Sequence, residues 1–96
     1  MTASSATAVR LLVSGRVQGV GFRYGLTMAA GQVGVRGRVR NLADGRVEAR
    51  LQGPASAVES VVEWARKGGP PRGRVDDVTV QAVAVEPGLS GFQVTG

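Results

Sequence analysis

Hydrophobic and polar positions alternate along several stretches of the chain and recur at helical spacing along two others. Val9, Leu11 and Val13 alternate with Arg10, Leu12 and Ser14, which predicts a first strand with one strongly apolar face. From Phe22 to Gln32 the apolar residues Leu26, Ala29, Ala30 and Val33 predict a helix, one weakened by Gly25 and Gly31 at roughly 1 kcal/mol each against alanine. "GVRGRVRN" alternates again, with Val35, Gly37 and Val39 on one face and Arg36, Arg38 and Arg40 on the other. Asp44-Gly45 follows as a hairpin signal, because both residues tolerate positive φ. Val47, Ala49 and Leu51 form the apolar face of the partner strand.

"GPASAVESVVEWARKGG" predicts the second helix. Pro54 suits its first position, where a missing N–H costs nothing. Val58, Val61, Val62 and Ala65 make an apolar stripe at helical spacing, and Arg66 and Lys67 sit at the negative end of the dipole. Trp64 is expected at the edge of the helix–sheet core. "VDDVTVQAVAVE" predicts a fourth strand over 75–86, and "GLSGFQVTG" a short last one with Phe92 and Val94 pointing the same way. The order predicts an α+β, ferredoxin-like β-α-β-β-α-β sandwich, an antiparallel sheet with two helices on one face plus a short C-terminal strand. The other face is expected to be bare and to carry Arg10, Arg36, Arg38, Arg40, Glu48 and Arg50.

The chain has 96 residues, enough for one core and one domain, expected over 9–96 behind a disordered tail over 1–8. It has neither cysteine nor histidine, which removes disulfides, thiol chemistry, the commonest general base and the commonest transition-metal ligand. Asp76 and Asp77 are neighbours on a strand and point apart, so they make no metal pair. No apolar run is long enough to span a bilayer and the opening residues lack the pattern of a secretory signal, so a cytoplasmic protein is expected. The net charge is +5, and eleven of the twelve basic residues are arginine. That balance points to anionic partners.

"GRVQGVGFR" lies where the first strand hands over to the first helix. It is not a P-loop, which needs lysine and a hydroxyl after its last glycine. It is not a dinucleotide fingerprint either, since Tyr24 stands at the third glycine position. Glycines at 15, 19 and 21 nevertheless allow backbone N–H groups to converge into a donor-lined nest. The helix that follows points its positive end at the same place, and Arg23 stands there with a fork that pairs with a phosphoryl group. No acidic residue lies between Val9 and Ala43 to compete for it.

This loop resembles the signature of the acylphosphatases. The segment "GRVRNLADG" resembles the family's second motif, and "W…KGGPP" and "GRVDDV" downstream are also similar. The resemblance covers Val9 to Val94. It implies a hydrolase that cleaves the carboxyl–phosphate bond of small acyl phosphates, with no metal, no cofactor and no covalent intermediate. It implies that Arg23 is the catalytic, phosphate-binding arginine and that Asn41 holds the attacking water. The backbone of Gln18, Gly19, Val20, Gly21, Phe22 and Arg23 would cradle the phosphoryl oxygens. Inorganic phosphate would be product and inhibitor, and a monomer is expected. Two departures stand out: Arg38 occupies a position usually aromatic in the family, and the first helix carries no charge between Tyr24 and Gln32. The competing reading is a non-catalytic basic ferredoxin-like module that binds nucleic acid or another anionic partner. It is disfavoured because the first and third strands, "VRLLVS" and "VEARL", offer no aromatic residue for base stacking.

Overall fold

The computed structural model describes residues 6–96. Its elements are β1 (Thr7–Arg16), α1 (Phe22–Val33), β2 (Arg36–Asn41), β3 (Val47–Gly53), α2 (Ala55–Arg66), β4 (Arg74–Ala82) and β5 (Phe92–Val94). The strands form one sheet in the order β4-β1-β3-β2-β5. Four of them pair antiparallel, as the ferredoxin-like topology requires. β5 pairs parallel to β2 at the far edge, with Phe92 opposite Gly37 and Val94 opposite Val39, so the complete sheet is mixed. Of the tail expected over 1–8, residues 1–5 lie outside the described residues. Thr7 and Ala8 already belong to β1, where Ala8 is buried opposite Gln52.

Both helices cover one face, and the core lies between. Leu11 and Val13 of β1, Val39 of β2, and Val47, Ala49 and Leu51 of β3 meet Leu26 and Ala30 of α1 and Val58, Val61, Val62 and Ala65 of α2. Each fully buried leucine or valine contributes roughly 1.5–3 kcal/mol relative to exposure. This packing holds α1 despite its poor intrinsic propensity. Val33, expected inward, is instead exposed, because the helix closes there on Gly34, which adopts φ 73°. The Val35 N–H returns to the Ala30 carbonyl at 2.9 Å, completing a Schellman closure. Gly25 also gains a reason. A Cβ there would lie 2.8 Å from the Trp64 ring, so the glycine lets α2's tryptophan lie against α1. Pro54 immediately precedes α2 rather than beginning it.

The hairpin between β2 and β3 has a three-residue loop. Leu42 N–H donates to the Arg46 carbonyl at 2.8 Å, and only Gly45 takes positive φ, at 96°. Asp44 stays at negative φ and instead accepts hydrogen bonds from the Arg46 amide at 3.1 Å and the Arg46 Nε at 2.8 Å.

The face away from the helices is not bare. β4 stops at Ala82, one hydrogen bond short of its last contact with β1, from the Val83 N–H to the Ala8 carbonyl at 3.0 Å, and the following segment crosses to β5 along this side. Gln52 is buried beneath it. Its amide exchanges two hydrogen bonds with the Glu86 backbone, accepting from N–H at 2.9 Å and donating to the carbonyl at 3.0 Å. Arg50 donates to the Ala84 carbonyl at 2.8 Å and Arg36 to the Leu89 carbonyl at 3.2 Å. No helix among the described residues is long and apolar enough to cross a membrane.

Candidate active site

The turn from β1 into α1 combines a buried anchor at each end with an open middle. Val17 and Phe22 are buried, and Phe22 packs on Trp64 with ring centroids 5.3 Å apart. Between them, Gly19 and Gly21 adopt φ 75° and 85°, a left-handed conformation that a side chain would strain. Gly15 does not belong to this turn. It sits at a bulge in β1, where a Cβ would come within 2.3 Å of the Arg74 carbonyl. Its role is to let β4 approach.

The amides of this turn are left without partners among the described residues. Gly21 is the N-cap of α1 and no side chain caps the helix. The first helical bond is Gly25 N–H to the Gly21 carbonyl, at 2.9 Å. Among the described residues, none of the N–H groups from Gln18 to Tyr24 finds a protein acceptor. Successive unpaired donors at a helix N-terminus form an anion site by partial charge alone. Of these residues Gly19, Gly21, Phe22, Arg23 and Tyr24 line a pocket of about 290 Å³ together with Val17, Thr27 and Val94, whereas Gln18, Val20 and Asn41 are not part of its lining.

Arg23 leaves the first turn of α1 at the rim of that pocket. Its Nη1 donates to the Gly96 carbonyl at 2.9 Å, and no carboxylate pairs with it among the described residues. The nearest acid along the chain, Asp44, is committed to Arg46. The hydrogen bond from the Arg46 amide comes first in holding its carboxyl below the ordinary range.

Asn41 ends β2, opposite Val47 of β3. Its side-chain Oδ1 is buried and has no hydrogen-bond partner, a costly state for an amide oxygen. Gln18 brings this strand end to the turn. Its Nε2 donates to the Leu42 carbonyl at 2.8 Å and to the Arg46 carbonyl at 3.0 Å, tying the turn to the hairpin that begins next to Asn41. Gln18 was expected to act through its backbone alone, and its side-chain tie had no signal in the sequence. Thr27 and Val94 were also not anticipated, the first because it bonds the Arg23 carbonyl at 2.8 Å, the second because β5 packs beside α1. The turn, Arg23 and Asn41 thus gather at one end of the sheet. Among the described residues, no three His, Cys, Asp or Glu side chains lie together in a metal-binding group.

The family model for acylphosphatase matches residues 9–94. The chain belongs to the acylphosphatase family. The acylphosphatase of Trichormus variabilis is 50% identical over 91 residues, 95% of this chain and 88% of that protein. The crystal structure of acylphosphatase from Bacillus subtilis superposes with a TM-score of 0.88 at 39% identity, covering 94% of this chain and 99% of that one. An acylphosphatase structure from Coxiella burnetii gives a TM-score of 0.90 at 34% identity over 99% of this chain and all of that one, 100%. As a member of this family the chain is an enzyme whose substrates are acyl phosphates.

Proposed function

We propose that hydrolysis proceeds by direct in-line attack of water on phosphorus, without metal or covalent enzyme intermediate. The observation that carries this reading is the run of unpaired amides from Gln18 to Tyr24 beside an arginine with no carboxylate partner. The phosphoryl group sits in the turn, its oxygens taking the N–H groups of Gln18 to Phe22. The Arg23 guanidinium exchanges the Gly96 main-chain oxygen for the phosphoryl dianion, a partner of higher charge that can take both arms of its fork. Asn41 Oδ1 accepts a hydrogen bond from the attacking water and so aims the water's lone pair at phosphorus. The water oxygen bonds to phosphorus as the bond to the acyl oxygen breaks. The electron pair leaves with the carboxylate, and the water's proton goes to a phosphate oxygen.

This chemistry suits a chain without histidine or cysteine. Carboxylate is a good leaving group, and phosphoryl transfer asks for positioning and charge stabilisation more than for a strong base. Fixed donors aimed at developing charge supply the second, and an oriented water supplies the first. Inorganic phosphate shares the cradle as product and competitive inhibitor. The protein acts as a cytoplasmic monomer on small substrates, with no specific nucleic-acid partner.

The test is a hydrolysis assay on an aryl acyl phosphate such as benzoyl phosphate. Arg23→Gln is expected to lower kcat/KM by about 10³-fold or more, the scale of losing a charged transition-state donor, and to weaken phosphate inhibition. A chelator is expected to leave the wild-type rate unchanged. Activity surviving in Arg23→Gln would remove the arginine from the mechanism.

A further inference from the structure

Arg10, Arg50 and Arg38 stand in one row across β1, β3 and β2. Arg10 pairs in register with Arg50, and Arg50 with Arg38. At about 4.8 Å between strands, the row spans roughly 10 Å. Like charges directly opposite one another destabilise a sheet, so the row opposes folding. Two carboxylates offset part of it. Glu48 binds Arg10 and Arg40, and Glu86 binds Arg38 and Arg50. Four arginines share two acids, which leaves two positive charges, and Arg36 adds a third farther along β2.

The charges lie in a concavity of about 380 Å³ on the face opposite the helices. Val83 bounds it beside β1, where its N–H meets the Ala8 carbonyl. Thr95 bounds it beside β2, where its N–H meets the Val39 carbonyl. The crossing segment stands on a third side and fixes Arg50 through Ala84. The side chains of Arg10, Arg38 and Arg40 keep 40%, 41% and 54% of their exposure. Arg10 and Arg40 bond Glu48 through Nε, which leaves their Nη groups to a ligand. Arg38 holds Glu86 through both Nη groups and would share them with an incoming anion. The surface offers no stacking platform. Phe22 and Trp64 pack together on the helix side, Phe92 packs against that same core, and Tyr24 stands on α1.

We propose that this basin is a second anion site, separate from the catalytic turn, that binds a linear oligophosphate through its phosphate chain. Several guanidiniums within roughly 10 Å match several linked phosphates, each able to take an arginine fork. A lone orthophosphate engages only part of the row. Walls at both ends favour a compact chain over a strand of nucleic acid running through, and the lack of aromatic residues leaves no grip on a base. Arg38, in register with Arg50, is the residue that completes the row.

The experiment is calorimetric titration of the Arg23→Gln protein, whose catalytic turn is disabled, with tripolyphosphate at low ionic strength. Binding is expected to persist there, at least tenfold tighter than orthophosphate, and to weaken tenfold or more when Arg10→Gln and Arg38→Gln are added. A wild-type protein saturated with orthophosphate provides a second readout that needs no variant. Tripolyphosphate should then shift the backbone NMR signals of Arg10, Arg38, Arg50 and Thr95. ATP should bind no tighter than tripolyphosphate. Loss of binding with Arg23→Gln alone, shifts confined to Gln18–Arg23, or tighter binding of a random single-stranded oligonucleotide would each overturn the proposal.

Discussion

The catalytic turn holds one arginine, whereas the opposite face holds five, and the difference between them lies in the backbone rather than in the charge. On the sheet face, the arginines stand on strands paired in register, and they are partly neutralised by Glu48 and Glu86. In the turn, Gly19 and Gly21 are left-handed, the amides from Gln18 to Tyr24 have no protein acceptor among the described residues, and the N-terminus of α1 lies at the same place. A chemical site for a phosphoryl group thus needs fixed donors converging on one point. A surfeit of mobile cations gives a surface for anions and no reason for a bond to break.

The comparison breaks most sharply in a paired exchange. Arg50→Gln removes a cation from the basin and is expected to leave hydrolysis within about twofold, against the loss of about 10³-fold for Arg23→Gln. Equal losses would mean that total charge drives catalysis. Asn41→Ala is next in size. It should cut kcat about 10²-fold through loss of water orientation, with phosphate inhibition nearly unchanged. A large fall in phosphate affinity would place Asn41 among the binding groups instead.

The smallest expected effect concerns the basin's own electrostatics. Burial pushes the Glu48 carboxyl up, but hydrogen bonds and charge from Arg10 and Arg40 outweigh it and hold the group below its ordinary 4.5. Its folded-state value is depressed, so its contribution is present above 4.5 and is lost as pH falls through the depressed value. Glu48→Gln should therefore cost about 1 kcal/mol in denaturant unfolding at neutral pH and progressively less as pH falls below 4.5. A cost that persists in acid would mean that packing, not charge, is what Glu48 supplies.

Much of this arrangement was legible in the sequence because period-2 alternation and helical spacing are local signals. The strands, both helices, the apolar stripe of α2 and the glycine-rich turn all emerge that way. The misreadings share a cause, which is tertiary contact. Val83 and Val85 prolong the alternation of β4, yet the strand ends at Ala82, and the segment crosses the sheet instead, held by Arg50 at Ala84 and by Gln52 at Glu86. Gly25 reads as a flaw in a helix until Trp64 is seen against it. Gly15 reads as part of the nest until Arg74 is seen behind it. Gln18 is one polar residue among several until its amide meets the hairpin carbonyls. Arg23 and Asn41, 18 positions apart by their numbering, were linked by family resemblance, and Gln18 supplies a physical link between the turn and the strand end.

The central claim is that the amides of the turn grasp the phosphoryl group, and an orthophosphate titration followed by ¹⁵N–¹H NMR tests it most directly. The account predicts saturable shifts concentrated on the amides of Gln18 to Arg23, moving downfield as they gain a charged acceptor. Phosphate that inhibits hydrolysis while leaving those amides unmoved would contradict it.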